Sequence, residues 1–190
     1  MQNEARISNA EIIYNQLLHS SEGHVNDHLL ATILASWVTG GGCLPQYLGL
    51  SENNFNRMMA KHFPDYLYPL IAKSKAEMEA ARFDEREELM QLFTQHRAGE
   101  SETEEWIAEI VTNACQGQDH LWQDLGVWSR KDLSKLLSSN FPSLVAKNDK
   151  DMKWKKFIYK QLCITEGIYT CRAPSCEVCA EYKSCFGPEE

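Results

Sequence analysis

The sequence predicts an all-α protein, a single helical domain that ends in a C-terminal four-cysteine metal-cluster knuckle. Three observations support this prediction. Apolar residues recur at helical spacing along much of the chain. Strand signals are weak, because valine is scarce, Asn-Gly and Asp-Gly turns are absent and no long segment alternates apolar with polar residues. Five of the seven cysteines fall at or after Cys163, so the C-terminal segment needs a local explanation.

The predicted helices follow one another along the chain. Apolar residues recur at intervals of three and four in the stretches 12–17, 29–37 and 55–59. The stretch 70–96 lacks Gly and Pro and is rich in strong helix formers, which predicts a long helix. Two more helices are predicted to begin at Ser101 and Ser129, because an acidic residue follows each serine three positions later, Glu104 and Asp132.

A weak internal repeat relates two of these segments, at 48–64 and 125–142. Each copy reads as a Leu-Gly turn, a serine cap, an amphipathic helix and a Phe-Pro stop, with Ser51 and Ser129 separated by 78 residues. Two explanations account for this pattern. One is convergent use of common helix start and stop signals, and the other is a pair of related helical segments. In both cases the repeat concerns the fold and not the chemistry.

Length and charge exclude several classes of protein. A chain of 190 residues favours one domain. A net charge of −8 disfavours nucleic acid as the main partner. The longest uncharged stretch, 29–51, is interrupted by the glycines 40–42, which we expect to end a helix, so no membrane span is predicted. Without an apolar run at the N-terminus, we expect a cytoplasmic protein.

The C-terminal knuckle carries the chemistry. Cys171, Cys176, Cys179 and Cys185 are spaced as C-x4-C-x2-C-x5-C. Thiolate sulfur is a good ligand for iron, and a short loop with unequal gaps can wrap a cubane-sized cluster. A four-cysteine zinc site is the alternative, although paired C-x2-C gaps are usual there. The spacing favours iron–sulfur over zinc, and both over disulfides.

A basic island precedes the knuckle in this acidic chain. The only acidic residues in this stretch are Asp149 and Asp151. The lysines of the island are Lys147, Lys150, Lys153, Lys155, Lys156 and Lys160. Most of them are interpreted as a solvated helix face. Their charge can also offset that of a thiolate cluster, or attract an oxyanion such as molybdate or an acidic partner surface. The aromatic residues among them, Trp154, Phe157 and Tyr159, are predicted core contacts.

The same residues resemble a known family. The segment from Asp151 to Cys163, followed by the knuckle and by Phe186 and Gly187, resembles the C-terminal signature of the NifQ family of nitrogen-fixation proteins. Residues 120–126 and 140–142 resemble that family too. The resemblance spans roughly residues 40–187, and the ordered cysteine spacing is its most specific part.

This resemblance implies a cytoplasmic iron–molybdenum–sulfur cluster carrier, rather than an enzyme, that supplies molybdenum for assembly of the nitrogenase iron–molybdenum cofactor. It makes the four knuckle cysteines the cluster ligands. The implied partners are cofactor assembly proteins, either a scaffold or a metal-insertion partner, with molybdate or thiomolybdate as the metal source and with no nucleic acid or membrane. Residues 1–190 then form one NifQ-like domain, with weakly matched N-terminal helices at 1–40 and a basic helix plus cysteine knuckle at 147–187.

Molybdenum accepts more donors than iron, so further ligands are candidates. One candidate is Cys185, the fourth knuckle cysteine. The others are Cys163 and the pair formed by Cys115 and His120. For His120 we favour a helix-terminal or half-buried histidine without a metal. For Cys43 and Cys115 we favour small buried hydrophobic side chains.

Two other function classes remain open at this point. DNA-repair glycosylases of the endonuclease III type also end in a four-cysteine cluster loop, and two of its three gaps match. The short first gap, the missing helix-hairpin-helix glycine loop and the net charge of −8 oppose that class. A zinc-stapled interaction module is the other alternative.

Overall fold

Every regular element in the described part of the chain is helical. The computed structural model describes residues 2–67, 70, 83–165 and 182–186. The helices are α1 (Gln2–His19), α2 (Asp27–Thr39), α3 (Glu52–His62), α4 (Phe83–Gln95), α5 (Thr103–Cys115), α6 (Leu121–Leu125), α7 (Arg130–Asn140), α8 (Pro142–Val145), α9 (Trp154–Thr165) and α10 (Tyr182–Cys185), with a short 3-10 helix at Gln46–Gly49.

The all-α prediction is thereby confirmed for these ranges. None of the helices in them is long and apolar enough to span a bilayer. Of the predicted long helix at 70–96, the structure describes the last part as α4. Residues 71–82 lie outside the described residues, and so do three knuckle cysteines, Cys171, Cys176 and Cys179.

Helix α2 ends at the glycine triplet, as predicted. Gly40 has φ of 80°, a left-handed conformation that glycine adopts without strain. Gly42, with φ of 73°, lies against the backbone of Asp124, where an added Cβ would come within 2.7 Å of the Asp124 carbonyl oxygen. The triplet therefore both ends a helix and packs tightly against a distant segment.

The predicted start of α5 at Ser101 is wrong by one residue. Glu102 occupies the N-cap position, while the Ser101 hydroxyl accepts a hydrogen bond from the Thr103 backbone N–H at 3.2 Å. The buried Glu104 carboxylate accepts three backbone N–H groups at 2.8 to 3.0 Å, from Gly99, Glu100 and Ser101. The Glu104 carboxylate therefore fixes the turn before α5, while the Ser101 hydroxyl still accepts the first N–H of the helix.

Both copies of the internal repeat have the predicted local structure. Ser51 and Ser129 cap α3 and α7 with hydroxyls that accept backbone N–H groups at 3.2 and 3.1 Å. The two helices have equal lengths of 11 residues. Their C-cap residues are Phe63 and Phe141, whose backbone angles agree within about ten degrees and whose rings are buried.

The last residue of each repeated helix is polar and buried. Nδ1 of His62 lies 2.5 Å from a carboxylate oxygen of Asp27. Asn140, at the same place in the second copy, exchanges two hydrogen bonds of 2.9 Å with Asn26. Asn26 and Asp27 are neighbours at the start of α2, so both copies converge on one turn. This polar corner fixes α2, α3 and α7 relative to one another.

The start of α9 is fixed by packing and by hydrogen bonds. Trp154 and Phe157 are buried, as predicted, while Tyr159 is half-buried. The Trp154 indole donates to the Ser134 hydroxyl of α7 at 2.9 Å. The Lys153 backbone N–H donates to the Cys185 carbonyl at 2.8 Å. Helix α9 is therefore held between α7 and the segment that carries Cys185.

We predict that Asn140→Ala lowers the free energy of unfolding by about 2–3 kcal/mol, because the change leaves the buried Asn26 amide without its two hydrogen bonds. The matched control is Asn56→Ala, the same change at an exposed position of α3. Urea unfolding followed by circular dichroism measures both. Equal unfolding free energies for the two variants would contradict the role of the polar corner.

Candidate functional site

An open cleft of about 910 Å³ lies between the α5–α6 connection and the start of α9. Residues from 115 to 123 line one side, and Lys153, Lys155, Lys156 and Tyr159 line the other. Glu85 of α4 and Ser184 of α10 complete the lining. The cleft therefore collects part of the basic island, the two candidate ligands Cys115 and His120, and the immediate neighbour of Cys185.

Lys155 ties the two sides of the cleft together. Its ammonium group donates to the carbonyl oxygens of Gly117 at 3.0 Å and Asp119 at 2.7 Å, and to the carboxylate of Asp124. Asp124 is buried, and its carboxylate also accepts the Asp119 backbone N–H at 3.1 Å. A buried carboxylate requires such a partner. Lys155 is therefore a structural cation and not an open charge.

Glycine at position 117 makes room for this ion pair. A Cβ there would come within 2.3 Å of the Asp124 carboxylate carbon. On its other side, the Asp124 carbonyl accepts the Cys43 backbone N–H at 2.8 Å. Asp124 thus joins the glycine triplet, the α5–α6 connection and α9.

The basic island does not act as one surface. Lys153, Lys155 and Lys156 line the cleft. Lys147 lies elsewhere, with its ammonium 3.1 Å from the His96 imidazole. Lys150 and Lys160 are exposed and do not line the cleft. The interpretation as a solvated face holds for these two exposed lysines, whereas the three cleft lysines have a defined location.

The structure places one of the four predicted cluster ligands. Cys185 is half-buried at the end of α10, beside the cleft-lining Ser184, and its carbonyl is held by Lys153. The other three lie outside the described residues. Cys163 is half-buried on α9, four residues after Tyr159 and therefore on the same helix face. Among the described residues, no three His, Cys, Asp or Glu side chains are grouped to hold a metal ion.

Of the two isolated cysteines, Cys115 is buried, as favoured from sequence, whereas Cys43 is half-buried. Burial raises the pKa of Cys115 to about 12. Burial, followed by the negative charge of Asp124, raises the pKa of Cys43 to about 12. Because the thiolate is the metal ligand, a thiol that stays protonated at neutral pH is a poor one. In this conformation Cys115 therefore lines the cleft as an apolar group.

His120 precedes α6 as its N-cap residue, which confirms the helix-terminal interpretation. Its backbone N–H donates to the Gln123 side chain at 3.2 Å, and the half-buried residue lines the cleft. The sequence reasoning missed Asp124, Gln118 and Glu85. Asp124 stands within the 120–126 segment on which the family resemblance partly rests, and this was the one signal that could have found it.

Comparison with known proteins decides the family. A model of the NifQ family matches residues 29–187. The chain belongs to the NifQ family. It is 43% identical over 174 residues to Protein NifQ of Azotobacter vinelandii, covering 86% of this chain and 89% of that protein. It is 35% identical over 157 residues to Protein NifQ of Klebsiella pneumoniae, covering 77% and 90%.

Protein NifQ of Rhodobacter capsulatus is 33% identical to the chain over 162 residues, covering 85% and 87%. No solved structure matches the chain. The family match includes all four knuckle cysteines and the whole cleft, and it begins in α2, upstream of residue 40. NifQ proteins act in nitrogen fixation, so this membership replaces the glycosylase alternative.

We predict that Lys155→Met lowers the free energy of unfolding by about 2–3 kcal/mol, because it leaves the Asp124 carboxylate buried without its cation. Lys160→Met is the control, since Lys160 is exposed on the same helix. The double variant Lys155→Met with Asp124→Asn should recover part of the loss, because it removes the uncompensated charge. A Lys155→Met protein as stable as the Lys160→Met control in urea unfolding contradicts the structural role.

Proposed function

We propose that this NifQ protein is a metallocluster carrier. It holds an iron–sulfur cluster that contains molybdenum on Cys171, Cys176, Cys179 and Cys185, and it supplies molybdenum for assembly of the nitrogenase iron–molybdenum cofactor. Family membership and the cysteine spacing support this proposal. The observation that carries it is the position of Cys185, next to a cleft lined by three lysines.

The donor set fits such a cluster. Four thiolates are soft ligands that suit iron and molybdenum bound to sulfur, and three of them suffice for three irons. The described member of the set, Cys185, is half-buried and is not engaged in a disulfide. Its backbone is fixed by the hydrogen bond from Lys153. A ligand held by its own backbone costs less ordering entropy when it binds metal.

The residues around Cys185 oppose the negative charge of a thiolate site. Lys153 donates from its side chain to the Lys183 carbonyl at 3.4 Å, which keeps one ammonium group next to the knuckle. Lys156 lines the adjoining cleft, where the charge of Lys155 is already matched by Asp124. Positive charge near thiolates stabilises their deprotonated form and offsets the charge of a bound cluster.

Molybdenum is the cargo in this proposal. It arrives as molybdate or thiomolybdate and leaves to a cofactor assembly protein, a scaffold or metal-insertion partner whose site binds it more favourably. Release to a partner requires a site near the surface. The open cleft beside Ser184 and Cys185 supports this part of the proposal.

We predict that replacing Cys171, Cys176 or Cys179 by alanine abolishes cluster retention, because the loss of one thiolate leaves an iron open to solvent. Iron, molybdenum and zinc are measured in protein purified without oxygen, together with visible absorbance. Cys43→Ala is the control, since this thiol is protonated and hydrogen-bonded to the Ala114 carbonyl.

The metal content also separates the alternatives. Iron with molybdenum in the wild type, lost in the three knuckle variants and kept in Cys43→Ala, is the expected result. Zinc alone would indicate a zinc-stapled module. Iron without molybdenum, even after anaerobic assembly, would remove the donor function.

A further inference from the structure

The cleft is a local exception to the charge of the chain. Lys153 and Lys156 line it together with two carboxylates, Glu85 and Asp119, and the charge of Lys155 is matched by Asp124, so the cleft is close to neutral in a protein of net charge −8. The net charge of an acidic protein repels anions, and a region without excess negative charge repels them less. An anion that approaches this protein therefore meets less repulsion at the cleft than from the protein as a whole.

The three lysines have different tasks. All three described hydrogen bonds of the Lys155 ammonium go to the protein, so Lys155 shapes the wall. Lys156 is exposed and forms no ion pair within the described part of the chain. The Lys153 ammonium has one long hydrogen bond to a carbonyl. Lys153 and Lys156 are therefore the two cations with capacity to contact a ligand.

Neutral polar side chains also line the cleft. They are those of Gln118, His120 and Gln123. Amide and imidazole N–H groups donate well to oxygen and poorly to sulfur, which is a weak acceptor. Two ammonium groups with neutral N–H donors match a small dianion whose oxygens point in several directions.

We infer that the cleft binds a tetrahedral oxodianion through Lys153 and Lys156, and that it is the entry point for the anion to the knuckle at Cys185. This inference rests on the proposed function only for the identity of the dianion, molybdate. Because the N–H donors of the cleft bind oxygen atoms better than sulfur atoms, molybdate binds here in preference to thiomolybdate. Glu85 and Asp119 line the same cleft and repel an anion, so binding depends on its contacts with Lys153 and Lys156.

The test measures molybdate binding to the full-length protein by equilibrium dialysis at low ionic strength. The variants are Lys153→Gln and Lys156→Gln, alone and together. The matched control is Lys160→Gln, one turn further along α9, exposed and outside the cleft. Three other anions are compared with molybdate. Tungstate is a second oxodianion, tetrathiomolybdate is the sulfur analogue, and perchlorate is a tetrahedral monoanion.

We expect each cleft variant to weaken molybdate binding about fivefold, and the double variant more, with Lys160→Gln close to wild type. Added salt should reduce the difference, because it screens the wild-type field. Tungstate should compete, and perchlorate and tetrathiomolybdate should bind more weakly. Wild-type affinity in the double variant, an equal loss in Lys160→Gln, or no molybdate binding by the wild type would each overturn the inference.

Metal analysis of the same variants separates this inference from the proposed function. The cleft variants should retain wild-type iron, because the four thiolates are unchanged. Molybdate binding in the cleft by a protein that never retains a molybdenum cluster would refute the carrier function and support the cleft site. If the double variant retains the cluster and binds molybdate with wild-type affinity, the cleft site is refuted and the carrier function is supported.

Discussion

The ion pair between Asp124 and Lys155 is the interaction on which the candidate site depends. It joins α9 to the α5–α6 connection, and two glycines pack closely against Asp124. A Cβ at position 117 would clash with the Asp124 carboxylate, so only glycine fits there. Gly42 lies against the Asp124 carbonyl. A buried charge pair costs desolvation free energy and is stable only when further hydrogen bonds complete it. Here two backbone carbonyls and one backbone N–H do so.

The charge distribution of the cleft follows from this pair. Because Lys155 is committed to Asp124, the lysines open to a ligand are reduced to Lys153 and Lys156, and both lie at the start of α9. The hydrogen bond between Lys153 and Cys185 then places the last knuckle cysteine beside them. Buried contacts thus hold Lys153 and Lys156 next to a thiol. Such proximity suits a protein that takes up an anion and hands on a metal.

Local signals predicted much of the fold. Serine caps, glycine ends and the Phe-Pro stops act within a few residues, so Ser51, Ser129 and Gly40 were assigned correctly from sequence. For Ser101 the assignment was wrong by one residue, since Glu102 is the N-cap and the Glu104 carboxylate holds the N–H groups of the turn before the helix. The six lysines looked like one island because sequence shows proximity along the chain. Which of them is neutralised depends on Asp124, 31 residues from Lys155, and only the fold reveals that pairing.

The most direct measurement is anomalous diffraction, at the iron and molybdenum absorption edges, from crystals of the protein loaded without oxygen. The proposed function predicts iron and molybdenum peaks together at the knuckle, beside Cys185 and the mouth of the lysine-lined cleft. Zinc alone at the four cysteines, or molybdenum bound only at a place remote from Cys185, would contradict it.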